Sequence, residues 1–198
     1  MAHHFLYLIR HGQQATPHQV PDVLGNGLTP AGRQQARRLA RRLGAALAEV
    51  PRPIIHHSTM RRAAETAAFI AERLPAAPVR PTRTLWEIPA VSVPPAFAHW
   101  FDRYSPEQVA AGQARMESAF ARFFRPARGR DRHSLLVCHG NVIRYLVTRA
   151  LALPADAWLS MDTLNSGLTE IVIEADGRVR LINYNDVGHL PARLRTFI

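Results

Sequence analysis

The chain is 198 residues long and 47% hydrophobic, enough for one domain over residues 1–198 with a sizeable core and short for two. No apolar run approaches the ~20 residues of a membrane span, no basic-then-apolar leader precedes the first strand, and the single cysteine, Cys138, excludes an intrachain disulfide; a soluble, cytoplasmic protein in a reducing compartment is therefore expected. The formal net charge is +10, and all 25 basic residues are arginine; their even spread fits a compositional preference for arginine better than a nucleic-acid-binding block, so neither a specific nucleic-acid partner nor a membrane partner is expected, although the positive field would draw anionic substrates.

Phe5–Ile9 reads as a buried strand that stops at Arg10-His11-Gly12. Residues 12–28 are polar, rich in glycine and proline, and read as loop. Thr29 followed by Pro30 is an N-cap with proline at the first helical position. Ala36, Leu39, Ala40, Leu43 and Leu47 then recur at helical spacing and predict a helix to about Glu49. Pro53–His57 predicts a short strand, and Arg61–Leu74 a helix burying Ala63, Ala67, Ile70 and Leu74. Residues 75–95 are proline-rich and expected to be mostly irregular. A helix over Pro106–Phe124 and a strand over Ser134–Cys138 follow, and Asn141 is expected to cap the next helix, beginning at Val142. Leu168–Ile173 and Arg178–Tyr184 read as strands joined through the turn Ala175-Asp176-Gly177, and the last residues as a surface tail. Alternating strand and helix patterns predict an α/β fold.

Polar residues collect wherever a short apolar strand ends. Arg10, His11 and Gly12 follow the first strand, Ser58 and then Arg61-Arg62 the second, and His139, Gly140 and Asn141 a later one. In open α/β sheets the carboxyl ends of the strands form the ligand crevice, so these groups are expected to converge. Arginine forks, helix N-termini and closely approachable glycines suit a tetrahedral oxyanion. A neutral imidazole can attack phosphorus, with a carboxylic acid to protonate the leaving oxygen and later activate water.

These segments resemble the histidine phosphatase (phosphoglycerate mutase-like) superfamily: Arg10-His11-Gly12 after the first strand, the LTPAGRQQA helix, the STMRRAAETA block from Ser58 to Ala67, and His139-Gly140. The resemblance implies a three-layer sandwich with a mostly parallel central sheet flanked by helices. It further implies a phosphomonoester hydrolase working through phosphohistidine without metal or cofactor, with a phosphorylated substrate as partner. By position, His11 would be the nucleophile, Arg10, Arg62 and His139 would clamp the phosphoryl oxygens, and Glu87 of Leu85-Trp86-Glu87 would be the acid. Gln13 and Gln14 stand where the family carries a small hydroxyl or asparagine; they are expected to touch substrate along with Gly140 and Asn141. Residues 138–159, Ala98-His99-Trp100 and Asn165–Ile173 are similar to the phosphoglycerate mutase family member 5 branch, which hydrolyses phosphoserine and phosphothreonine in proteins.

Other readings compete. Small phosphometabolites are the alternative substrate class. A phosphoglycerate mutase is disfavoured by the modest, proline-interrupted segment between the second and third motifs, and a non-catalytic basic module by the intact His11, Arg62 and His139. Cys138 and Arg144 carry the Cys-x5-Arg spacing of cysteine phosphatases, but Cys138 should face away from His139 and reads as a buried structural thiol. His56 and His57 face opposite ways and make no metal pair. His3, His4 and His18 read as terminal or loop residues, and His99, His133 and His189 as surface. The oligomeric state stays open, since the tail ending LPARLRTFI could pack against a second copy.

Overall fold

The computed structural model describes residues 2–15, 25–100 and 104–197. Its strands are β1 (His4–Arg10), β2 (Ile54–Ser58), β3 (Val79–Thr82), β4 (Arg132–Cys138), β5 (Leu168–Ile173) and β6 (Val179–Asp186), and its α-helices are α1 (Pro30–Ala46), α2 (Arg61–Ala71), α3 (Pro106–Phe123) and α4 (Gly140–Ala150). They build one sheet in the order β3-β2-β4-β1-β5-β6. β3, β2, β4 and β1 pair in parallel, whereas β5 pairs antiparallel with both β1 and β6. The three-layer α/β sandwich expected from the sequence is therefore observed.

Alternation along the strands makes the two cores. Leu6 and Leu8 of β1 join Leu136 and Cys138 of β4 and Ile171 and Ile173 of β5 under α3 and α4. Ile9, Leu135, Val137 and Ile55 point the other way, against Leu39 and Leu43 of α1 and Ala63, Ala67 and Ile70 of α2. The helix starts follow local chemistry. The Thr29 side chain accepts from Gly32 N, with Pro30 at the first helical position; Ser105 and Gln108 form a reciprocal capping box before α3.

Four local expectations need correction. The segment from Val79 is an edge strand, and Pro81 is tolerated there because β3 has a neighbour on one side only. Asn141 is not a cap: His139 occupies that position, and α4 starts at Gly140. The C-terminal tail is docked, with Leu190 and Leu194 buried, Gln35 Nε2 donating to Leu194 O and Asn165 N donating to Thr196 O. Two histidines read as peripheral are structural. His4 is buried on β1 between Arg125 O and Ser134 Oγ, and His133 lies on β4 with its ring stacked on Phe5 at 4.5 Å. His18 lies outside the described residues.

Candidate active site

The central pairing of β1 with β4 decides what meets at the carboxyl end of the sheet. Arg10 stands opposite Cys138, and His11 N donates to Cys138 O at 3.0 Å. One residue further on, His11 and His139 face each other with ring centroids 5.2 Å apart. Both are buried, at 4% and 0% exposure.

The ring of His11 is fixed at both nitrogens. Nδ1 lies 2.7 Å from Gly12 O, and a carbonyl only accepts, so Nδ1 carries the proton. Nε2 is then a lone-pair site, and Arg62 Nε donates to it at 3.1 Å. Burial, then the Arg62 and Arg10 charges, hold this imidazole well below the usual histidine range, so it is neutral at physiological pH. The backbone behind it is tied down. Asn165 Nδ2 and Ser166 N donate to His11 O, and Thr66 Oγ1 accepts from Gly12 N while donating to Arg62 O.

His139 has a different arrangement. Ser58 Oγ accepts from Met60 N at 3.3 Å and is hydrogen-bonded to His139 Nε2 at 2.9 Å. Its Nδ1 is buried and has no hydrogen-bond partner among the described residues. Burial, followed by His11, Arg62 and Arg10, keeps this ring neutral too.

Arg10 leaves the end of β1 and donates through Nη1 to Thr163 O; its Nε is buried without a partner among the described residues. Gly140 lies beside it, because a Cβ there would come 3.7 Å from Arg10 Nε and 3.1 Å from Thr163 Oγ1. Arg62, on the first turn of α2, is 6% exposed. Neither α2 nor α4 has a side-chain cap, so both helices turn first-turn amides toward this end of the sheet.

Glu87 arrives from the segment after β3. Its Oε1 accepts from Ile88 N at 3.1 Å, and Arg62, Arg10 and Arg144 all act on its charge. Burial outweighs these attractions and raises the carboxyl above the ordinary carboxylate range. Asn141 spans from α4 to this segment, donating through Nδ2 to Ile88 O at 2.8 Å and accepting from Arg144 at Oδ1. Both ends of its amide are thus engaged by protein.

Gln13 Oε1 accepts from Thr29 Oγ1 at 2.8 Å, so that oxygen serves the start of α1; Gln14 is in an isolated bridge with Leu28. Gly12 has a packing reason as well: a Cβ there would lie 2.6 Å from Gly32 O, so the loop after β1 crosses the start of α1 backbone to backbone. Arg61 points outward and pairs with Glu65 at 2.8 Å. Cys138 faces the α3–α4 core, and burial pushes its thiol up, far from a nucleophilic thiolate.

Ser58 was expected at this end of the sheet but given no role, and Thr66 and Asn165 were not singled out from the sequence. All three lie in segments quoted for the resemblance, but their bonds to His139, Gly12 and His11 depend on tertiary contacts.

An α/β sheet whose parallel strands end in two buried neutral imidazoles, the buried Arg62, the half-buried Arg10 and two uncapped helix starts presents groups suited to a tetrahedral oxyanion. The chain belongs to the histidine phosphatase superfamily (branch 1), whose family model matches residues 6–187. It is 37% identical over 195 residues, 97% of its length, to the Caenorhabditis elegans serine/threonine-protein phosphatase Pgam5, mitochondrial, and covers 66% of that protein. The chain spans just under two thirds, 63–66%, of the curated relatives it matches. Among solved structures it is similar to phosphoglycerate mutase from Plasmodium falciparum (TM-score 0.68, 29% identity, 97% of this chain and 96% of that one). It is also similar to mycobacterial glucosyl-3-phosphoglycerate phosphatase (TM-score 0.67, 26% identity, 92% of this chain and 99% of that one). The expectation of a cytoplasmic location is overturned: the worm relative and its mouse and human counterparts are all named as mitochondrial.

Proposed function

We propose that the protein hydrolyses phosphomonoesters through a phosphohistidine at His11 Nε2. The observation that carries this reading is the His11 ring itself, with Nδ1 locked on Gly12 O and Nε2 presented as a neutral lone pair beside Arg62. A bound phosphoryl group draws the Arg62 fork onto its oxygens and releases the lone pair for attack. Arg10 and His139 take further oxygens, and the first-turn amides add a favourable dipole. His11 Nε2 then bonds to phosphorus as the P–O bond breaks, and protonated Glu87 supplies its proton to the leaving oxygen. In the second half, ionised Glu87 takes a proton from water, the water oxygen attacks phosphorus and the P–N bond breaks. Inorganic phosphate leaves, with His11 neutral and Glu87 protonated again. Ser58 and Asn141 act as positioning residues, the first for the His139 ring and the second for the segment carrying Glu87.

Glu87→Gln tests the acid. Turnover of an alkyl phosphate such as phosphoserine should fall by about 10²–10³-fold, and that of an activated aryl phosphate much less, because a good leaving group needs no proton. The sign of the pH dependence follows from the raised carboxyl: activity on the alkyl ester falls as pH rises through the Glu87 titration, and the variant loses that basic limb. An equal loss on both substrates, or an unchanged limb, removes Glu87 from this role.

For substrate, the similarity to serine/threonine-protein phosphatases over nearly the whole chain favours phosphoserine and phosphothreonine in proteins. The similarity to glucosyl-3-phosphoglycerate phosphatase favours a small phosphometabolite as the second reading. A panel of phosphopeptides and phosphometabolites separates the two by kcat/KM.

A further inference from the structure

The arginines are dispersed in sequence, but the fold gathers a group of them at the end of the sheet opposite His11. Here the start of β4, the turn after α3 and the turn before β2 enclose a cleft of about 880 Å3 lined by Arg52, Arg125, Arg128, Arg130 and Arg132. Asp131 is the one carboxylate in the lining, and it is spent on His3, whose backbone N donates to it at 2.8 Å. Among the described residues, none of the five arginines forms an ion pair. Elsewhere the chain does supply partners: Arg33 and Arg61 share Glu65, and Arg42 holds Asp186 at 2.5 Å. Arg132 is partly buried, with Arg80, Arg122 and Arg125 acting on it as like charges. Gathered cations without counter-charges oppose folding, and an anion seated among them would relieve that repulsion.

We propose that this cleft binds an acidic polypeptide segment. Guanidinium forks match carboxylates in a bidentate geometry. Between the arginines, Pro126 and Ala127 give the lining an apolar surface suited to peptide stems. A single-stranded nucleic acid binds best on rings that stack its bases, and the one aromatic ring in the lining, His133, is already stacked on Phe5 and bonded to Tyr7 OH. The cleft is concave and arginine-walled, unlike the flat face that a bilayer requires. It lies a strand length away from His11, roughly 20 Å, so it binds independently of phosphate hydrolysis.

The test is fluorescence anisotropy with a labelled poly-glutamate peptide against wild type and the triple variant Arg125→Gln/Arg128→Gln/Arg130→Gln, whose three positions are all exposed. Wild type should bind, more weakly as salt rises, and the variant at least about tenfold more weakly, while hydrolysis of an aryl phosphate stays unchanged in the variant. Absence of binding to wild type, or equal binding by the variant, overturns the proposal. Tighter binding of an oligothymidylate of equal charge also overturns it, in favour of nucleic acid. Loss of aryl phosphate turnover in wild type would count against the hydrolase reading alone.

Discussion

Replacing His11 with alanine is expected to lower turnover by about 10⁴-fold or more while leaving the protein folded. The scale follows from the chemistry. Phosphate monoesters hydrolyse extremely slowly in water, and the clamp that remains would hold a phosphoryl group with no nucleophile in line. Retained folding follows from the surroundings: His11 belongs to neither apolar cluster, and the β1 backbone keeps its bonds to Cys138, Asn165 and Ser166. Steady-state kinetics and a thermal melt check both halves. A variant that keeps a tenth of wild-type turnover would require another nucleophile.

The second large effect is structural. Gly32→Ala should destabilise the fold by about 3 kcal/mol or more and remove activity. A Cβ on Gly32 would lie 2.1 Å from Gln13 O and 2.9 Å from Gln13 N, and both neighbours are backbone, with no flexible side chain to yield. The strand end carrying His11 and Gly12 would have to move away from α1, and a displacement of about 1 Å at a reacting group costs roughly 10²-fold in rate. Gly129→Ala is the control. Nothing lies within 4 Å of its Cβ position, so the change should cost only about 1 kcal/mol for its positive φ. Denaturant melts of the two variants give the comparison, and equal stability would remove the close crossing of loop and helix from the account.

Strong local signals were legible in the sequence. The cap-proline start of α1, the apolar spacing on α1 and α2 and the strand-to-histidine transitions at β1 and β4 each carry their own pattern. What escaped was decided between elements. β3 is short, exposed and proline-containing, and becomes a strand only because β2 presents a parallel edge. The tail looks like a frayed end, yet Gln35 and Asn165 bind its backbone from distant segments. Asn141 has the composition of a cap but sits two residues past the cap position at His139, reaching Ile88 O instead. The pairing of Ser58 with His139 spans 81 residues and leaves no local trace. The even spread of arginine concealed the cluster at the far end of the sheet, because Arg52, Arg125 and Arg132 are neighbours only once β2 and β4 pair.

The most direct measurement is to mix the enzyme with a radiolabelled phosphomonoester, quench in alkali within the first turnover, and locate the label by peptide mapping. The account predicts an alkali-stable, acid-labile label on the peptide containing His11, absent from His11→Ala and accumulating in Glu87→Gln when an activated aryl phosphate is the donor. Turnover without any protein-bound label, or a label on another residue that survives in His11→Ala, would contradict it.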